Sequence, residues 1–195
     1  MIISVVNLKG GVGKTTTAAC IAVALSAVGT VRGIDSDPQS EGSLTGWARA
    51  AGPGFPDTVT AVGGRLTPAM SDGVDWAVFD APPSDPMTLS RAIDAADVVF
   101  IPTTPSHADL SRTFEVADLL SNQGITANVL LTAAQAGTIA TRQAIGTLTA
   151  DLPDGITFYE HVVPFRQHFL TMYGTIPKPN QLHPYDLIVR EIQES

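Results

Sequence analysis

The feature that most constrains this chain is the stretch Lys9-Gly10-Gly11-Val12-Gly13-Lys14-Thr15-Thr16, set between the apolar run Ile2 to Asn7 and a helical pattern from about Thr15 to Ala27. Its glycines let the backbone curl so that successive amides point inward, and the N-terminus of the following helix adds a positive dipole end. A strand, a curled loop and a helix in that order make a cradle for phosphate. Lys14 then neutralises the β- and γ-phosphates of a nucleotide, and the Thr15 hydroxyl is a ligand for Mg²⁺. The strict spacing G-x-x-x-x-G-K-[ST] fails because Leu8 occupies the place of its first glycine, whereas KGGxGK[ST] is met throughout. Lys9 is the informative departure. Lys14 and the loop amides already saturate one nucleotide, which leaves Lys9 little work in its own subunit and suits it to a neighbour's phosphates.

Around that loop, short apolar runs alternate with helical patterns. The runs are Ile2 to Asn7, Val31 to Asp35, Trp76 to Asp80, Val98 to Pro102, Asn128 to Thr132 and Ile156 to Val163. Several lack polar alternation, as parallel strands covered on both faces do. This rhythm of βαβ units predicts a doubly wound α/β fold with a mostly parallel sheet, and the phosphate loop after its first strand resembles that of P-loop NTPases. Further helices are expected from Ser106, where Ser-His-Ala-Asp has capping-box spacing, over Thr138 to Leu152, and over Tyr185 to Ile192. Residues 51 to 74 are rich in Gly and Pro and give no clear pattern. At 195 residues, 44% of them hydrophobic, with no linker or repeat, the chain reads as one globular domain over 1–195.

Two further segments carry carboxylates. Asp35 and Asp37 bracket Ser36 at the end of the second run, and an i, i+2 spacing sets both on one side of an extended chain. Ligands in such sheets sit beyond the carboxyl ends of the strands, so both acids can face the phosphate loop. The run Trp76 to Asp80 closes in an acid, a Walker B layout from which Asp80 reaches Mg²⁺ through water. An unpaired buried Asp would be a costly core residue.

Taken together, KGGVGKTT, Asp35-Ser36-Asp37-Pro38-Gln39, Asp80-Ala81-Pro82-Pro83 and Ile101-Pro102-Thr103-Thr104-Pro105-Ser106 with Asp109-Leu110 resemble the motifs of the ParA/MinD superfamily of deviant Walker A ATPases. The likeness is to the small ParA type without an N-terminal helix-turn-helix. It implies a Mg²⁺-dependent ATPase that binds ATP through residues 9–16 (Lys9, Gly10, Gly11, Val12, Gly13, Lys14, Thr15 and Thr16). Lys9 then reaches across an ATP-bound homodimer, Asp35 holds a magnesium-bound water and Asp37 orients the attacking water. Catalysis thus rests on Lys9, Lys14 and Asp37, and the metal on Thr15, Asp35 and Asp80. Val163-Pro164-Phe165-Arg166 is similar to the family's segment beside the adenine base, which makes Pro164 and Arg166 cofactor contacts, and Thr132-Ala133 ends the strand that flanks it. Ordinary loop packing accounts for these base-side residues equally well.

The same resemblance implies non-specific DNA binding by the ATP-bound dimer and a centromere-binding or other adaptor protein that stimulates slow hydrolysis. Plasmid or chromosome partition is the leading role. Positioning of a protein cargo and a MinD-like membrane switch are the alternatives. A metabolic enzyme of the superfamily is disfavoured, because a phosphoryl-transfer ligase would not require Lys9 and the nitrogenase reductase needs cluster cysteines, whereas the single cysteine, Cys20, sits inside the first helix. Acidic residues number 19 against 11 basic ones, for a net charge of −8, so any DNA contact is a local patch. Arg142 and Arg166 are its candidates, although solvated surface arginines fit the same positions. The four histidines show no metal-ligand spacing. The acidic C-terminal segment argues against a membrane helix. With no leader and no apolar run of spanning length, the expected location is the cytoplasm, on the nucleoid when ATP is bound.

Overall fold

The computed structural model describes residues 1–36, 42–61, 66–83 and 86–194, without side chains at 86–88. Its strands are β1 (Ile2–Val5), β2 (Val31–Asp35), β3 (Asp57–Thr60), β4 (Trp76–Asp80), β5 (Val98–Thr103), β6 (Ala127–Leu131) and β7 (Ile156–Phe158). All pair in parallel in one sheet ordered β3-β2-β4-β1-β5-β6-β7. From β1 the chain winds outward one way through β2 and β3 and the other way through β5, β6 and β7. The phosphate loop therefore leaves the sheet where the winding reverses, the place at which such folds hold ligands.

Helices α1 (Lys14–Leu25), α2 (Leu44–Ala51), α3 (Pro86–Ile93), α4 (His107–Asn122), α5 (Ile139–Ala150), α6 (Gln167–Thr171), α7 (Pro179–Leu182) and α8 (Tyr185–Glu194) cover the sheet. One core packs Ile34, Phe79, Ile101 and Leu131 with Val116 and Leu120 of α4 and Leu148 of α5. The opposite core packs Ile3, Val5, Val78 and Phe100 with α1, Trp47 of α2 and α8. α1 is buried nearly all round, from Thr17 to Leu25, because its outer side is covered in turn by α8. Tyr185, Ile188, Val189 and Ile192 recur at helical spacing along α8 and are all buried. Cys20 is fully buried in this core, which pushes its thiol well above the usual range. No described helix is long and apolar enough to cross a membrane.

Sequence and structure differ at several ends. β7 stops at Phe158 rather than running to Val163, although Tyr159 N–H and Val163 N–H still donate to Val129 and Leu131 carbonyls at 2.9 and 2.8 Å. β3, α2, α3, α6 and α7 had no clear sequence signal. The capping box at Ser106 is half made: Ser106 Oγ accepts from Asp109 N–H at 3.2 Å, but the Asp109 carboxylate takes the Thr104 hydroxyl, at 2.5 Å, instead of Ser106 N–H. Arg32 and Gly33 break the apolar character of β2, and each has a packing reason. Arg32 Nη1 donates to the Met70 and Asp72 carbonyls, both at 3.1 Å. At Gly33 a Cβ would lie 2.7 Å from Thr58 Oγ1 and 3.1 Å from Leu44, so a glycine lets α2 and β3 close on the strand.

Candidate functional site

The loop between β1 and α1 is pinned at its start, its middle and its end. Asn7, buried just after β1, accepts from Lys9 N–H at 3.0 Å and donates through Nδ2 to the Pro102 carbonyl (2.9 Å) and Thr113 Oγ1 (3.2 Å). Buried Lys14 donates through Nζ to the Lys9 carbonyl at 2.7 Å. Thr132 Oγ1, on the far side of β5, lies 2.9 Å from the Val12 carbonyl. Gly13, with φ +91°, is the N-cap of α1. No side chain caps that helix and no acid lies in its first turn. The positive dipole end of α1 therefore meets no side chain of its N-cap and no acid of its first turn, which suits it to an anion.

Lys9 differs from the sequence expectation in one respect. It is exposed, and its Nζ lies 3.9 Å from Asp109 Oδ1, so the loop's first cation has a partner inside its own subunit. The pairing is loose, which leaves Lys9 able to move.

Asp35 and Asp80 stand opposite each other in the register of β2 and β4, and Val5 at the end of β1 is the next residue in that row. Alternation puts both carboxylates on the α1 side of the sheet. Each is buried, with 1% of its surface exposed. Asp35 Oδ2 accepts from Thr45 N–H at 2.7 Å, in the first turn of α2, while the amide and hydroxyl of Ser36 both donate to the Asp80 carbonyl, at 3.2 and 3.0 Å. Two buried carboxylates on neighbouring strands concentrate negative charge at this end of the sheet. Carboxylate oxygens at the strand ends are the kind of donor that Mg²⁺ takes. Asp37 lies outside the described residues.

On the other side of the loop opens a cleft of about 160 Å³. Gly11, Val12, Gly13 and Thr16 line one wall, and Val163, Pro164, Phe165 and Arg166 another. Pro164 and Arg166 thus border the same space as the phosphate loop. Their segment is held to the end of β6, where Ala134 N–H donates to the Val163 carbonyl (3.2 Å) and Phe165 N–H to the Ala134 carbonyl (2.8 Å). Ala133, also in the lining, has φ +50°, the sole non-glycine with positive φ among the described residues. Arg142 lies exposed on α5 and is not in this lining. Tyr185 of α8, which carried no sequence signal, also lines the cleft, and its hydroxyl lies 3.2 Å from Thr17 Oγ1 of α1.

Among known proteins, the chain is similar to the maintenance of carboxysome distribution protein A of Gloeobacter kilaueensis, 39% identical over 137 residues that cover 67% of this chain and 62% of that protein. It is similar also to the protein ParA of Rhizobium radiobacter, 32% identical over 130 residues, 63% of this chain and 57% of that one. The matches thus span less than two thirds of either relative's length. A Cyanothece McdA–ATP complex superposes with a TM-score of 0.76 at 18% identity, covering 98% of this chain and 96% of that one, a likeness of fold. The model of the CobQ/CobB/MinD/ParA nucleotide binding domain matches residues 3–175, and with the loop, the paired acids and the cleft in their places the chain belongs to that family.

Proposed function

We propose that the chain is a Mg²⁺-dependent ATPase whose ATP-bound homodimer rests on DNA without sequence preference and positions a cargo. The observation that carries this is the phosphate loop leading from β1 into the N-terminus of α1, with Asp80 and Asp35 in register beside Val5 at the end of β1. The loop amides and Lys14 bind the phosphates, Thr15, Asp35 and Asp80 hold the metal, and Asp37 orients the attacking water. Mg²⁺ supplies charge neutralisation on the β- and γ-phosphates. Lys9 of each subunit serves the other's nucleotide, and Pro164 and Arg166 border the base.

A partner protein stimulates hydrolysis. The relative named for carboxysome distribution supports a protein body as the cargo at least as well as ParA supports a plasmid. A membrane-bound switch is disfavoured by α8, whose apolar face is already spent on α1. The test is ATP turnover with and without Mg²⁺, beside fluorescence anisotropy on unrelated duplexes with ATP, ADP and no nucleotide. Absence of ATP binding and turnover overturns the reading. Turnover without ATP-dependent DNA binding removes DNA as the matrix and keeps the ATPase.

A further inference from the structure

We infer that Thr132 is a positioning residue for the phosphate loop, aiming the Gly13 amide at the nucleotide through a hydrogen bond to the preceding carbonyl. The inference rests on the reading of residues 9–16 as a nucleotide-phosphate loop. Thr132 follows β6, two strands away from the strand that feeds the loop. Its hydroxyl is buried and lies 2.9 Å from the Val12 carbonyl and 3.0 Å from the Thr103 carbonyl. One hydroxyl has one proton to give. The Thr103 carbonyl is already served by the Thr132 backbone N–H at 2.7 Å, whereas the Val12 carbonyl has no other donor among the described residues, so the hydroxyl proton is best used on Val12.

The consequence follows from peptide geometry. In a planar trans peptide the carbonyl of one residue and the N–H of the next point in opposite directions. Holding the Val12 carbonyl toward Thr132 therefore turns the Gly13 N–H to the opposite side of that peptide, into the curl of the loop. Among the described residues the Gly13 N–H has no acceptor, as an amide reserved for a ligand should have none. Without this tether the Val12-Gly13 peptide is free to flip, because glycine at φ +91° tolerates conformations on both sides of the map. A Cβ at residue 13 would sit 3.7 Å from Thr132 Oγ1, ordinary contact distance, so the loop and the threonine lie side by side and it is the φ of +91° that calls for glycine.

The test compares Thr132→Val, which keeps the shape and removes the donor, with Thr132→Ser, which keeps the donor. Equilibrium binding of a fluorescent ATP analogue and thermal melting are measured for both, for Thr132→Ala, and for the parent and Lys14→Ala. Thr132→Val is expected to bind about tenfold more weakly, the loss of one hydrogen bond between loop and scaffold. Thr132→Ser should bind within about twofold of the parent, and both should melt close to it. If Thr132→Val and Thr132→Ala bind as the parent does, or if neither folds, the hydroxyl does not position the loop and the inference fails. If the parent itself does not bind, or Lys14→Ala binds equally well, it is the reading of the loop that fails.

Discussion

Lys9 Nζ lies 3.9 Å from Asp109 Oδ1, the loop's first cation facing the first turn of α4 across the mouth of the site. An ion pair with a half-exposed lysine at that distance contributes at most about 1 kcal/mol, less than a cation gains against phosphate oxygens. The pair therefore holds Lys9 near its own subunit only until a better anion arrives. With ATP, sedimentation velocity should show the parent as a dimer and Lys9→Ala as a monomer at the same concentration. Asp109→Asn should dimerise at least as readily as the parent. Equal dimerisation by Lys9→Ala would remove the cross-subunit role.

Asp37 is assigned to the attacking water and not to the nucleotide. Asp37→Ala is expected to bind ATP within about threefold of the parent, to stay dimeric with it, and to lose at least about 100-fold in turnover, the scale of a lost catalytic group. Lys14→Ala is the contrast, losing binding itself. Matching losses of ATP binding in the two variants would contradict the assignment.

The in-register pair of Asp35 and Asp80 predicts a metal phenotype. Asp80→Asn should need at least about tenfold more Mg²⁺ for half-maximal turnover, since a neutral amide is a poorer ligand for a hard cation. Asp35→Ala should also lower stability, by about 1 kcal/mol, because it strips the acceptor from the part-buried Thr45 N–H. Chelation of Mg²⁺ should abolish turnover in the parent. An unchanged Mg²⁺ titration for Asp80→Asn removes it from the metal site.

Arg142 and Arg166 should separate by assay. Each phosphate contact contributes about 0.9 to the slope of log affinity against log salt, so Arg142→Ala, lost once per subunit of a dimer, should flatten that slope by about 1.8 without altering ATP binding. Arg166→Ala should weaken ATP binding as well, since that residue lines the cleft. A salt slope for Arg142→Ala equal to that of the parent excludes it from the DNA patch.

Tyr159, after β7, and His161 both meet Glu191 of α8 and tie the last helix to the sheet. The Tyr159 hydroxyl, donating to Glu191, holds the carboxyl below its ordinary value of 4.5; His161 adds to this against partial desolvation. A depressed carboxylate stabilises the fold above its ordinary value, and that stability is lost as pH falls through the folded one. The melting temperature of the parent should therefore exceed that of Glu191→Gln at neutral pH, and the gap should close as pH drops below 4.5. A gap that persists unchanged in acid would show that the carboxylate's charge does not matter.

Legibility in the sequence followed locality. β4 was readable to the residue because Trp76 to Asp80 is an apolar run closed by an acid, and β2 because Val31 and Ile34 lead to Asp35 despite Arg32 and Gly33 between them. β3 was not, since Asp57–Thr60 is a short edge strand, mostly exposed, in a stretch of Gly and Pro that carries no buried face to betray it. In the site, the loop and both acids stood out by motif and by strand-end position. The hydroxyl of Thr132 on the Val12 carbonyl and that of Tyr185 beside Thr17 did not, because each joins segments that only the folded sheet and the docking of α8 bring together.

The tight closure over Gly33 leaves a trace that can be sought among related chains. With a Cβ 2.7 Å from Thr58 Oγ1 and 3.1 Å from Leu44, a side chain at position 33 is admissible only where those neighbours have shrunk. Aligned relatives should therefore substitute the three positions in concert: alanine or larger at 33 together with glycine, alanine or serine at 58, or a residue smaller than leucine at 44. Such a coupling would tie an edge strand that local pattern does not reveal to the strand bearing Asp35.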